Sequence, residues 1–128
     1  MVHLDTSFLI RALAAGSSEG QRLFEWLRDG REVRMSSIAW TELLCGPISP
    51  EVVEELSESL GEPVAFDTAD SITAANLFNA GGRRRGSLPD CMIAAAAMNA
   101  KASLATSNTS DFERFIPHGL KLLPVPTR

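Results

Sequence analysis

Cysteine is scarce in this 128-residue chain, which holds only Cys45 and Cys91. Two distant thiols outside any metal-ligand spacing exclude a disulfide framework and a cysteine-rich zinc module. The expectation is a pair of buried thiols. Histidine is as rare: His3 falls in the first apolar run and His118 in a late loop, so neither is placed for a zinc site. No apolar run approaches the roughly 18–20 residues that span a bilayer. The N-terminus lacks a basic region leading into an apolar stretch of the secretory kind, so a cytoplasmic protein is expected. A positive surplus is also missing. The net charge is −4, which excludes holding nucleic acid by charge alone. An acidic chain still acts on nucleic acid where bound cations neutralise its site and a local basic patch meets the phosphates.

What is present matches an ordinary soluble domain: 45% hydrophobic and 22% charged residues, in a chain long enough to bury a core without staples. No repeat, low-complexity tract or long linker divides it, so residues 1–128 are read as a single domain. Val2–Leu4 reads as a short buried strand. Asp5-Thr6-Ser7 follows, then helix-spaced Phe8, Leu9, Ile10 and Leu13, the pattern of a strand feeding a capped helix. A second helix spans Glu19–Arg28 with Leu23, Phe24 and Leu27 inward, and Gly30 ends it. Glu32–Met35 is a second strand. Ser36-Ser37 caps a helix over Ile38–Cys45, stopped by Gly46-Pro47. Ser49-Pro50-Glu51 opens another helix carrying Val52, Val53, Leu56 and Leu60 inward to Gly61. Pro63–Phe66 is a third strand, and a helix capped by Asp67 or Thr68 runs to about Ala80 with Ile72, Ala75, Leu77 and Phe78 on its apolar face. Ser87 or Pro89 opens a helix over Asp90–Ala100. Ala102–Ala105 is a fourth strand, Asp111–Phe115 a helical turn ended by Pro117, and Leu120–Leu123 a fifth strand before a Pro124-Val125-Pro126 tail. Strands alternating with helices predict an α/β fold: a parallel sheet of about four to five strands with helices on both faces.

In such sheets ligands bind beyond the carboxyl ends of the strands. Asp5 stands where the first strand ends and Asp111 just past the fourth. Asp90 lies in the first turn of a helix, and Glu42 sits between Trp40, Leu43 and Leu44, an apolar setting for a charge. Each of Asp5, Asp90 and Asp111 taken alone is explained as a helix cap or first-turn acid; Glu42 is harder to explain that way. Crowded carboxylates repel, and one reason to crowd them is to hold a hard divalent cation such as Mg²⁺ or Mn²⁺. The run Arg83-Arg84-Arg85 is the one dense basic patch. It reads either as a solvated helix end or as an RNA-phosphate contact.

Four segments in order carry a family resemblance. Leu4-Asp5-Thr6-Ser7-Phe8-Leu9-Ile10, Ser36 through Gly46 around Trp40-Thr41-Glu42, Leu88-Pro89-Asp90-Cys91-Met92-Ile93-Ala94-Ala95, and Leu104 through Phe112 resemble the motifs of PIN-domain ribonucleases. The VapC toxins of VapBC toxin–antitoxin pairs are the most similar subgroup. The resemblance covers essentially the whole chain and implies a PIN-like fold. It also implies that Asp5, Glu42, Asp90 and Asp111 form the catalytic acidic cluster binding Mg²⁺ or Mn²⁺, with Thr6, Ser7 and Asn108 in support. Asp111 is expected to cap its helical turn, with Asn108 as its hydrogen-bonding neighbour. Endonucleolytic cleavage of RNA, neutralisation by a VapB-like antitoxin and homodimerisation follow from the same resemblance. The dimer expectation draws in addition on apolar surface near Trp40, Leu56 and Leu60. Two other readings compete. A magnesium-dependent phosphatase or receiver-like phosphoryl-transfer domain also places Asp at strand ends, but a receiver needs a lysine late in the chain, and neither Lys101 nor Lys121 is suitably placed. A catalytically inactive partner-binding module would not need all four acids.

Overall fold

The computed structural model describes residues 1–123; the expected tail at Pro124-Val125-Pro126 lies outside the described residues. Four strands form one parallel sheet: β1 (Val2–Leu4), β2 (Val33–Arg34), β3 (Ser103–Ala105) and β4 (Lys121–Leu122), in the order β2-β1-β3-β4. All three residues of β1 are buried. Alternate side chains of a strand point to opposite faces, so burial of the whole strand means that both faces of the sheet are covered there. The expected strand at Pro63–Phe66 shrinks to one parallel bridge between Ser36 and Val64. The reason lies in the donors. Pro63 has no N–H, and the Phe66 N–H turns to the Ser37 hydroxyl at 3.1 Å. That leaves Val64 alone to pair, through Val64 N to Met35 O and Ser37 N to Val64 O, both 2.8 Å.

The helices are α1 (Thr6–Ala12), α2 (Ser18–Arg28), α3 (Ser37–Leu44), α4 (Pro50–Leu60), α5 (Thr68–Ala80), α6 (Leu88–Asn99) and α7 (Thr109–Phe112), the last running into a 3₁₀ helix at Glu113–His118. Most starts are chemically plain. Ser17, Ser36 and Ser49 each accept an N–H of the following turn, and Asp67 forms a reciprocal capping box with Asp70. Pro117 sits inside the 3₁₀ helix rather than ending it, and Gly119, with its positive φ, makes the stop.

Two helix faces differ from expectation. On α2 the buried stripe is Glu19, Leu23 and Trp26, spaced i, i+4, i+7, and it brings Trp26 flat against Phe8 at 5.5 Å between ring centroids. Phe24, only one position past Leu23, is 65% exposed, and Leu27 also faces outward. On α5 the stripe is Asp70, Ala74 and Leu77, which leaves Ile72 and Ala75 in solvent. In both helices the 3.6-residue period turns a large apolar residue, Phe24 or Ile72, to solvent. Leu56 and Leu60 are buried within the chain's own core, so they supply no spare surface for a dimer. Cys91 is buried as expected, but Cys45, at the open end of α3, is exposed.

Gly20 sets how closely α2 approaches α1. A Cβ there would stand 2.6 Å from the Ala12 carbonyl oxygen, so any larger residue pushes the helices apart. Its neighbour Glu19 is buried, 8% exposed. No helix among the described residues is long and apolar enough to cross a membrane.

Candidate active site

The chain leaves β1, forms β2 on one side, and returns to build β3 on the other side. That reversal opens a crevice at the carboxyl ends of β1 and β3. Leu4 pairs with Ala105 in register, so the next residues, Asp5 and Thr106, emerge side by side, with the Asp5 N–H donating to the Ala105 carbonyl at 2.9 Å. Asp5 is the N-cap of α1, and its carboxylate is almost fully engaged. Oδ1 accepts the Thr6 N–H at 2.8 Å, and Oδ2 accepts the hydroxyls of Ser7 and Thr106, both at 2.7 Å. Those hydroxyls in turn accept backbone N–H groups from the loop after β3: Ser107 N to Ser7 Oγ at 3.2 Å, and Asn108 N to Thr106 Oγ1 at 3.0 Å. The Thr6 hydroxyl reaches the other way, to the Ala39 carbonyl at 2.9 Å and Glu42 Oε1 at 3.2 Å. Asp5 thus sits at the junction of α1, α3 and the β3–α7 loop.

Glu42 is not sealed among its apolar neighbours. It is exposed, beside a half-buried Trp40 and an exposed Leu44. Its carboxyl is nevertheless raised above the usual range, first by partial burial and then by the negative charge of Asp5, against the lowering effect of the Thr6 hydrogen bond. Asp90 is half-buried in the first turn of α6. Its carboxyl is pushed up to about 6, chiefly by burial, then by the charges of Asp5, Asp111 and Glu42, with Arg114 pulling the other way. Asp90 therefore feels the charges of the other three predicted acids, and Glu42 that of Asp5 as well. Asp111 does not cap its turn. It is the exposed third residue of α7, and Asn108 holds the N-cap position without a side-chain cap bond. The contact between the two residues is Asp111 N to the Asn108 carbonyl, 3.0 Å.

Among the described residues, no three acidic, imidazole or thiol groups already converge as a finished metal centre. The donor set nonetheless suits a hard cation. It is all oxygen, and its acids are charged at each other's expense, as the raised Asp90 carboxyl records.

Three residues that sequence reasoning missed join this network. Thr106 holds Asp5 directly. Glu19 accepts the Ser107 hydroxyl through Oε2 at 3.2 Å and the Ser18 hydroxyl through Oε1 at 3.3 Å, which ties the β3–α7 loop to α2. Arg114 stands near Asp90 on the 3₁₀ helix. No local pattern marks Glu19 or Thr106, because their partners are 88 and 101 residues away.

Arg83, Arg84 and Arg85 are all exposed in the turn between α5 and α6. Arg83 takes a left-handed φ of 56 and donates from Nε to Asn79 Oδ1 at 2.9 Å. If the run meets RNA phosphate, the second of the two readings above, replacing all three with Ala reduces the salt dependence of binding, because fewer counterions are released. An unchanged salt slope in a fluorescence-anisotropy titration would leave the run as a solvated turn.

The PIN domain family matches residues 2–115 of the chain. A VapBC complex from Salmonella typhimurium bound to DNA is similar at 27% identity and TM-score 0.75, covering 95% of this chain and 96% of that one. VapBC2 from Rickettsia felis, bound to a promoter DNA fragment, is similar at 22% identity and TM-score 0.73, with 96% and 98% covered. VapBC-1 from nontypeable Haemophilus influenzae gives 24% identity and TM-score 0.71, with 96% and 97% covered. No match was found among curated proteins.

Proposed function

Because the chain belongs to the PIN domain family, we propose that it is a metal-dependent endoribonuclease and the toxin of a VapBC-type toxin–antitoxin pair. The observation that carries this reading is the arrangement around Asp5: a carboxylate fixed by three donors at the strand-order reversal, with Asp90 in electrostatic range of Asp5, Glu42 and Asp111. Asp5 and Asp90 are the principal groups for holding Mg²⁺ or Mn²⁺, with Glu42 and Asp111 completing the set. When bound, the ion supplies acidified water and counter-charge for the phosphoryl oxygens.

The residues of the chain do the positioning. Ser7 and Thr106 donate their hydroxyl protons to Asp5, which fixes its rotamer, while the Thr6 hydroxyl ties α1 to the Ala39 carbonyl and Glu42. Asn108, at the mouth of the β3–α7 loop, is a polar neighbour with its backbone N–H already committed to Thr106. Asp90, with its raised carboxyl, is the group whose charge state responds most to a cation.

A VapB-like antitoxin is the proposed protein partner. Exposed Ile10 and Leu13, with Leu43, Pro47 and Ile48, line an apolar groove of about 160 Å³ along α1, suited to an apolar segment of such a partner. Homodimerisation and a cytoplasmic setting complete the proposal. The test is incubation of mixed cellular RNA with the purified protein and Mg²⁺, then with excess EDTA. Cleavage that EDTA stops is the expected result. Absence of cleavage, or cleavage indifferent to EDTA, would overturn the reading.

A further inference from the structure

The segment after Asp111 is pinned by two phenylalanines. Phe112 and Phe115 are 1% and 2% exposed and meet edge to face at 6.1 Å between ring centroids. Arg114 lies between them in sequence and cannot swing freely. Its guanidinium carbon stacks 4.4 Å above the centre of the Phe115 ring, a distance at which cation–π attraction holds the plane of the group. The residue is only half-buried, yet its Nη2 is fully buried and has no hydrogen-bond partner among the described residues. Nor does Arg114 form an ion pair within 4.0 Å among them, although an acidic cluster is beside it.

That combination is unusual for a structural arginine. A charged donor withdrawn from water without a partner costs free energy, and arginines buried for stability normally form bidentate pairs with a carboxylate. Here Arg114 acts electrostatically on Asp90, one of the acids proposed above to face a cation, without a direct ion pair to it. The guanidinium is pre-oriented by the Phe115 ring, and its Nε and Nη1 donate no hydrogen bond among the described residues. Burial withholds Nη2, the nitrogen common to both bidentate edges of the group, so the remaining N–H groups suit a single phosphate oxygen.

We propose that Arg114 is a substrate-contacting residue whose guanidinium donates to a non-bridging oxygen of an RNA phosphate placed against the carboxylate cluster. The inference deepens the ribonuclease reading and rests on it. It assigns the phosphate contact at the reacting centre to a single ordered arginine on the 3₁₀ helix. The exposed Arg83–Arg85 turn is left to contribute attraction at longer range.

The test uses Arg114→Gln and Arg114→Lys. The probe is fluorescein-labelled mixed-sequence single-stranded RNA. Anisotropy in EDTA reads binding without turnover, and cleavage in Mg²⁺ is followed separately. Arg114→Gln is expected to weaken binding by about tenfold, equivalent to about 1.4 kcal/mol, and to lower the salt slope by about 1. Arg114→Lys keeps the charge without the guanidinium plane that stacks on Phe115 and should recover only part of the affinity. If Arg114→Gln lowers the melting temperature but leaves affinity and salt slope unchanged, Arg114 is a counter-charge for Asp90 and the inference is overturned, with the ribonuclease reading intact. If the wild-type protein neither binds nor cleaves RNA, the functional reading falls and takes the inference with it.

Discussion

Asp90→Asn is expected to raise the melting temperature of the metal-free protein while abolishing Mg²⁺-dependent RNA cleavage. The two effects share a cause. In the folded chain the Asp90 carboxyl titrates at about 6, against an ordinary value of 3.8, so folding must be paid for by ionising an acid that prefers to stay protonated. A raised carboxyl opposes folding above its folded pKa, and the penalty fades as the pH falls from about 6 toward 3.8. Asparagine removes the charge at nearly constant shape. Two units correspond to about 3 kcal/mol; half-exposure and solvent screening reduce this to about 1–2 kcal/mol, or a rise of about 3–6 °C in a domain of this size. Adding Mg²⁺ should raise the melting temperature of the wild type and leave that of the variant nearly unchanged, because the variant lacks a principal ligand. Cleavage should fall on the order of a hundredfold or more, the scale of several kcal/mol of lost charge stabilisation. Differential scanning calorimetry in EDTA and in Mg²⁺, alongside the RNA assay, checks all three. A folded variant with normal cleavage would remove Asp90 from the site. A lower melting temperature in EDTA would show that its carboxylate is structural.

The sequence carried the parts of this arrangement that are local. Asp5 follows an apolar triplet and precedes Thr6-Ser7, so a strand end and a helix cap were legible together, and the structure shows Asp5 doing both. The capping box at Asp67 and Asp70 lies within one turn, so the start of α5 is legible at Asp67 or Thr68, and Asp67 is the cap. A property that depends on the rest of the chain is not legible in this way. Phe24 and Ile72 are apolar, but the helix period turns them to solvent, and the faces that pack are chosen by Phe8 beneath α2 and by the α6 side of α5. Pro63–Phe66 has the composition of a strand, but pairing needs donors that Pro63 lacks and Phe66 spends on Ser37. At the site, the acids announced themselves by type and position. The groups that hold them, Thr106 and Glu19, did not, because hydroxyls and carboxylates are common and their contacts span most of the chain.

His3 sits one residue from the end of β1, two before Asp5, and its burial makes the fold sensitive to acid. It is 1% exposed, and neither ring nitrogen has a hydrogen-bond partner among the described residues. Its pKa is lowered to about 4, first by burial, then by the positive charges of Arg34 and the N-terminus, against the opposing pull of Asp70 and Glu32. The ring is therefore neutral in the folded protein and protonates at 6.5 once unfolded. With the folded pKa below the unfolded one, stability is complete above about 6.5 and is lost as the pH falls toward 4, by up to about 3 kcal/mol. Asp90 works in the opposite sense across nearly the same window, gaining stability as it is protonated below about 6. The two contributions partly cancel, so wild-type stability should vary little between about pH 6.5 and 4.5 in the absence of metal. Replacing His3 with Val removes one of the opposing terms and keeps an apolar, β-branched residue in the strand. Urea denaturation should then show a variant close to wild type near neutral pH and more stable than wild type by about 2 kcal/mol near pH 4.5. Combining His3→Val with Asp90→Asn should flatten the profile again, since both titrations are gone. A His3→Val profile parallel to the wild-type one would show that His3 is protonated within the folded sheet, and that the sensitivity to acid arises elsewhere.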